Sequence, residues 1–158
     1  MPISRNISGT TLNLSVAMLF FSKKRAKHVL DEGAAELDDA TLQKTLSNRQ
    51  GILKRVTDNA SLAPYISQVK ILFNLVQDYV KGEYREVPWW SLGSISTALL
   101  YILMPMDALP DYIPVAGFLD DAVVLKLCLD MVAKDLTKYI AFKQAGQALN
   151  DTSTDGSE

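Results

Sequence analysis

The stretch Tyr101-Ile-Leu-Met-Pro-Met-Asp-Ala-Leu-Pro-Asp-Tyr-Ile-Pro-Val-Ala-Gly-Phe-Leu-Asp-Asp121 separates two long apolar segments and decides how this chain folds. It contains three prolines, one glycine and four aspartates. Each proline lacks a backbone N–H and disfavours helical geometry in the residue before it, so a helix cannot pass through the stretch smoothly. The sequence therefore predicts a structured corner between two helices, with carboxylates concentrated at the bend.

The special residues of this corner resemble the signature of the YkvA-like family, a domain of unknown function. The resemblance covers roughly residues 88–136. The residues that carry it are Tyr101, Pro105, Asp107, Pro110, Asp111, Pro114, Gly117, Asp120 and Asp121. It implies a small helical module that is often predicted to be membrane-associated, and it implies no established activity.

Composition narrows the classes of protein that fit. A chain of 158 residues that is 48% hydrophobic predicts one globular domain. The single cysteine, Cys128, and the single histidine, His28, exclude an internal disulfide framework and a cysteine-rich zinc site. The basic residues neither recur along the chain nor alternate with aromatic residues, so no nucleic-acid partner is expected.

Apolar spacing and capping residues predict an all-α fold, a small bundle of about five helices centred on the helix–corner–helix hairpin. The helices are expected from Ser22 to about Glu36, from a cap at Asp38 or Asp39 to about Val56, from a cap at Ser61 to Gly82, from Pro88 to the corner, and from Ala122 to about Leu149. The chain then divides into an N-terminal helical region (1–60), a YkvA-like helical core (61–149) and a disordered acidic tail (150–158).

Two uncharged segments are candidates for contact with a membrane. Residues 6–22 precede a basic cluster, which suits either an interfacial helix or an N-terminal helix that packs on the core. Residues 87–106 are long enough to span a bilayer and open with a tryptophan pair typical of an interfacial anchor, although their small residues equally favour close helix packing. The candidate membrane contacts are Leu19, Phe20, Phe21, Lys23, Lys24, Arg25, Trp89 and Trp90.

The four corner aspartates have two interpretations. If Asp107, Asp111, Asp120 and Asp121 converge, their oxygens suit Mg²⁺, Mn²⁺ or Ca²⁺. Alternatively, Asp120 caps the last helix, Asp121 lies at its positive end, and Asp107 caps a short turn. Gly117 is expected to adopt a backbone conformation closed to other residues. The capping interpretation is preferred, because such residues cap helices more often than they bind metal.

No sequence pattern names a reaction. A nucleophile elbow, a phosphate-binding glycine loop and a dinucleotide fingerprint are all missing from the sequence. The sequence therefore predicts a membrane-associated helical interaction or scaffold module without catalytic activity, at the cytoplasmic face of a membrane, with a protein partner or self-association as further possibilities. The alternatives are a divalent-cation-binding acidic module, a small carboxylate-dependent enzyme, and a soluble cytoplasmic location.

Overall fold

The computed structural model describes residues 23–103 and 121–153, and these residues form seven α-helices. In chain order they are α1 (residues 23–35), α2 (Asp39–Ser47), α3 (Arg49–Asp58), α4 (Ile66–Lys81), α5 (Trp89–Leu103), α6 (Asp121–Met131) and α7 (Ala133–Ser153), with a short 3₁₀ turn at Ala63–Tyr65 before α4. The prediction of an all-α fold is confirmed. The predicted number of about five helices is too low.

Two predicted helices are each divided in the structure. The helix expected from Asp38 or Asp39 to about Val56 is divided into α2 and α3. Asn48 ends α2, because its side-chain amide donates a hydrogen bond to the carbonyl of Lys44 at 2.7 Å. The long helix expected after the corner is split at Val132, although hydrogen bonds from Val132 to Cys128 and from Leu136 to Val132 continue the helical pattern. Helix α7 also runs to Ser153, so the segment predicted as a disordered tail begins with helical residues.

Two of the capping residues expected from the sequence lie at helix ends, and one does not. Asp38 is the N-cap of α2 and accepts hydrogen bonds from the hydroxyl and backbone N–H of Thr41, which lower the pKa of its carboxyl. Gly82 ends α4 in the left-handed conformation, with φ of 80°. The cap expected at Ser61 was wrong: α4 begins at Ile66, because the preceding residues form the 3₁₀ turn.

Helix α5 lies at the centre of the bundle. All of its residues from 91 to 102 are buried, and it contacts α2, α3, α4 and α6. Because the hydrophobic effect favours removing such a helix from water on every side, an apolar helix with little amphipathic pattern is expected in the interior of a bundle. The buried cluster around it draws on all seven helices, from Ala26 in α1 to Tyr139 in α7.

Small residues bring α1 and α5 close together. A Cβ atom on Gly93 would lie 2.5 Å from the Cα atom of Ala34, and a Cβ atom on Gly33 would overlap the side chain of Thr97. The hydroxyl of Thr97 is satisfied inside α5, where it donates to the carbonyl of Gly93 at 2.7 Å. Within residues 87–103, the small residues therefore allow close helix packing, which the sequence left open as the alternative to a membrane span.

Candidate functional site

The corner that organises the sequence is only partly within the described residues. Tyr101 is buried near the end of α5, and Asp121 is the half-buried first residue of α6, at the positive end of that helix. The other corner residues, Pro105, Asp107, Pro110, Asp111, Pro114, Gly117 and Asp120, lie outside the described residues, as do Leu19, Phe20 and Phe21. The preference for a capping network over a cation site therefore remains a prediction.

Within residues 23–103 and 121–153, no group of three or more His, Cys, Asp or Glu side chains is placed to hold a metal ion. An open depression beside the end of α5 is lined by Gly51, Lys54, Arg55, Asp58, Asn59 and Leu103. Its Lys54 and Asp58 form an exposed ion pair at 3.5 Å. An exposed ion pair of this kind contributes little energy.

The two tryptophans lie on the surface, unlike residues 91–102 of α5, which are buried. Pro88 precedes the helix, and its carbonyl accepts the backbone N–H groups of Ser91 and Leu92. Trp89 and Trp90 thus occupy the first turn, where they are 44% and 47% exposed. Large aromatic side chains are costly to leave in water and are enriched at protein and membrane interfaces. The pair is therefore a candidate contact surface.

A tyrosine and an arginine extend this surface. The rings of Tyr79 and Trp89 have centroids 6.3 Å apart, and the guanidinium of Arg85 lies 4.5 Å above the Tyr79 ring. Together Tyr79, Arg85, Trp89 and Trp90 form what we call the tryptophan surface. It combines flat apolar rings with a cation held against one of them, an arrangement suited to a layer that is partly apolar and partly polar.

The basic residues at the start of α1 form the second set of predicted contacts. Lys23, Lys24 and Arg25 are all exposed, whereas the next residue, Ala26, is buried in the core. Lys27, which belongs to the same run in the sequence, forms an ion pair with Asp31 at 2.6 Å. All four cations are exposed, but the charge of Lys27 is already paired within α1.

A buried carboxylate that the sequence reading missed joins α4 to α7. Asp78 is only 7% exposed, and its Oδ2 atom accepts hydrogen bonds from the hydroxyl of Tyr139 at 2.6 Å and from Nζ of Lys143 at 3.1 Å. We call these three residues the Asp78 cluster. Burial and the neighbouring Asp78 carboxylate raise the pKa of Tyr139 well above its usual range.

Aromatic packing and a second hydrogen bond support the same attachment. The ring of Tyr84 lies against both Tyr139 and Phe142, with centroid distances of 5.1 and 4.9 Å. The hydroxyl of Ser91, in α5, donates to Asp135 of α7 at 2.6 Å. Because its carboxylate is enclosed by its own partners, the Asp78 cluster is a structural attachment rather than a group open to substrate.

Among the described residues, none of the helices has both the length and the apolar character needed to cross a membrane.

Comparison with known proteins identifies the family. A family model described as a protein of unknown function (DUF1232) matches residues 91–127. An uncharacterised membrane protein, YkvA, from Bacillus subtilis (strain 168) is 36% identical over 74 residues, which cover 47% of this chain and 70% of YkvA. The chain is thus a small all-α protein that belongs to the YkvA-like family, a family of unknown function. No solved structure matches it.

Proposed function

We propose that this chain is a membrane-associated helical interaction module without catalytic activity, and that the tryptophan surface is its contact with lipid. The observation that carries the proposal is the exposure of Trp89 and Trp90 at the end of an otherwise buried helix. Support comes from the relative YkvA, which is described as a membrane protein. A peripheral contact of this kind needs no spanning helix, because a protein can associate with a bilayer through interfacial side chains.

The chemistry of the tryptophan surface fits the headgroup region of a bilayer. Indole rings prefer the boundary between water and hydrocarbon, because they are apolar but carry an N–H donor. Arg85 supplies a cation, stacked on the Tyr79 ring, that can pair with lipid phosphate. Lys23, Lys24 and Arg25 supply a second, purely electrostatic contribution where the membrane is anionic.

The size of the tryptophan contribution follows from the exposed area. A tryptophan buries about 250 Å² when fully covered, so roughly 100 Å² of each ring is available to lipid. At about 25 cal/mol per Å², covering that area contributes at most about 2–3 kcal/mol per tryptophan. Since 1.4 kcal/mol is a tenfold change in an equilibrium constant, removal of either ring should weaken vesicle binding by about tenfold or more.

Vesicle binding by the full chain tests the proposal. Both tryptophans of the chain belong to the tryptophan surface, so their fluorescence reports on this surface alone. We expect a blue shift on adding vesicles of phosphatidylcholine and phosphatidylglycerol, and quenching by brominated lipid. In co-sedimentation, Trp89→Ala and Trp90→Ala should each weaken binding, whereas Ile140→Ala, which removes a similarly exposed apolar residue from α7, should not.

A second set of variants separates charge from insertion. Replacing Lys23, Lys24 and Arg25 with glutamine should weaken binding to anionic vesicles and leave binding to neutral vesicles unchanged. The three replacements are also made singly and compared with Lys27→Gln, which removes one charge that already pairs with Asp31. Unshifted tryptophan fluorescence at saturating lipid, with equal sedimentation of all variants, would refute membrane contact through the tryptophan surface.

A further inference from the structure

Helix α7 buries very little of its surface. Of its residues 133–152, Tyr139 alone is buried, Asp135 and Leu136 are half-buried, and all the others are exposed. The helix also begins at a break in the chain of helices, because α6 ends at Met131 and α7 starts at Ala133. Most of the stability of a helix in a protein comes from packing, so a helix with one buried side chain should undock more easily than the core unfolds.

Residues that hold α7 are direct neighbours in the sequence of residues in the tryptophan surface. The three neighbouring pairs, with the residue that contacts α7 given first, are Asp78 and Tyr79, Tyr84 and Arg85, and Ser91 and Trp90. In each pair the first residue is buried and the second is at least partly exposed. Because the two members of a pair share one peptide unit, a movement of one shifts the other.

Backbone hydrogen bonds connect the same residues to the loop between α4 and α5. The backbone N–H groups of Glu83 and Tyr84 both donate to the carbonyl of Asp78, at 2.9 and 3.2 Å. The side chain of Asp78 is bound by Tyr139 and Lys143 of α7. Asp78 therefore joins the docking of α7 to the loop that leads into the two tryptophans.

We propose that the docking of α7 orders the tryptophan surface and thereby controls its contact with lipid, with Asp78, Tyr84 and Ser91 as positioning residues. When α7 is docked, the aromatic rings and Arg85 are held in place before lipid arrives. When α7 is undocked, these side chains must be ordered during binding, which weakens the binding. The control of lipid contact rests on the proposed function, whereas the coupling of α7 to the loop does not.

Two substitutions at Tyr139 undock α7 to different extents in the full chain. Tyr139→Phe removes the hydrogen bond to Asp78 and keeps the ring. Tyr139→Asp places a second carboxylate beside a buried one and should leave α7 mostly undocked. Thr137→Ala is the matched control, because the Thr137 hydroxyl bonds to the carbonyl of Ala133 within α7 itself. Protection of the α5 amides from hydrogen exchange identifies the variants that keep a folded core.

The coupling is measured first without lipid. Tyr139→Phe should raise the hydrogen-exchange rate of residues 133–143 by roughly tenfold or more, the factor expected for one lost hydrogen bond to a charged group. The amides of Glu83 and Tyr84 should also exchange faster in this variant, and the anisotropy of tryptophan fluorescence should fall in Tyr139→Asp. Faster exchange in α7 with unchanged Glu83 and Tyr84 amides, or unchanged protection of α7 in Tyr139→Asp, would overturn the proposal.

Vesicle binding then tests the control of lipid contact. Neutral phosphatidylcholine vesicles are used, so that the added charge of Tyr139→Asp does not repel the membrane. Tyr139→Asp should bind them roughly twofold to tenfold more weakly, the factor for ordering one side chain on binding, and Thr137→Ala should bind like the wild type. Equal binding of Tyr139→Asp and the wild type would overturn the control by α7. A wild type that binds no vesicles, with the exchange and anisotropy changes present, would refute the membrane contact and support the coupling.

Discussion

Replacing Tyr139 with phenylalanine tests whether the Asp78 cluster holds α7 in place. The change removes one hydroxyl and keeps the ring that packs on Tyr84. Asp78 is 7% exposed, and its carboxylate would lose a hydrogen bond of 2.6 Å. Hydrogen bonds to charged groups contribute about 1.5–3 kcal/mol, so we expect Tyr139→Phe to lower the free energy of unfolding by about 2 kcal/mol.

Melting temperatures of Tyr139→Phe and Lys143→Met measure the size of that effect. At about 2–4 °C per kcal/mol for a chain of this size, Tyr139→Phe should lower the melting temperature by about 4–8 °C. Lys143→Met should cost less than about 1 kcal/mol, because the Lys143 side chain is 45% exposed and its ion pair is screened by water. A double-mutant cycle of Tyr139→Phe with Asp78→Ala, followed by urea unfolding, isolates the pairwise energy.

The two substitutions must be non-additive by at least about 0.5 kcal/mol, since residues in direct hydrogen-bonded contact couple to that extent or more. A Tyr139→Phe variant that unfolds at the wild-type urea concentration, with an additive double mutant, would show that Tyr139 does not bind Asp78 in solution.

Three further predictions follow from the described residues. Gly93→Ala should destabilise the protein by about 1–3 kcal/mol, because its new Cβ atom would lie 2.5 Å from the Cα atom of Ala34. Gly146→Ala, whose Cβ atom meets open space, should stabilise it by about 0.5–1 kcal/mol. The two variants should therefore shift the melting temperature in opposite directions. Because the pKa of Tyr139 is raised in the folded state, its contribution to stability is complete below about pH 10 and is lost as pH rises above it. Stability should therefore fall above about pH 10 in the wild type and less steeply in Tyr139→Phe, and identical alkaline profiles would contradict this assignment. If Asp121 serves the helix end rather than a cation, Asp121→Asn should melt near the wild type and neither protein should respond to Mg²⁺, Mn²⁺ or Ca²⁺; a rise in melting temperature with any of these ions would favour the cation site.

Much of the fold could be predicted from local chemistry. A cap at Asp38 or Asp39 and a helix end at Gly82 are predictable because capping depends on backbone groups only a few positions away in the sequence. The apolar stripe of α4 was likewise visible in its spacing. The start of α4 was misplaced because the 3₁₀ turn before it depends on how the chain packs.

The role of the uncharged run was harder to predict. Hydrocarbon and a protein core are both apolar, so the hydropathy of residues 87–106 favours either environment equally. The deciding fact is the contact of Gly93 with Ala34, which lies 59 positions earlier in the chain, and no local pattern reports such a contact.

The Asp78 cluster illustrates a different limit. Asp78 continues the series of Ile71 and Leu75 at helical spacing, and a carboxylate on an apolar row is a signal that a partner exists. Its partners, however, are 61 and 65 positions away in α7. The sequence can therefore mark the residue but cannot identify the side chains that satisfy it.

The central position of α5 has a consequence for biosynthesis. The helices that enclose α5 lie on both sides of it in the chain, with α2, α3 and α4 made earlier and α6 made later. While the ribosome is still producing the residues after α5, a run of twenty uncharged residues, 87–106, has not yet gained the cover that α6 supplies. Chaperones and the membrane-insertion machinery sample nascent chains during that interval, because exposed apolar segments are what they recognise. The docking of α6 therefore competes with the binding of these factors to α5, and the outcome depends on how fast α6 is made and docks.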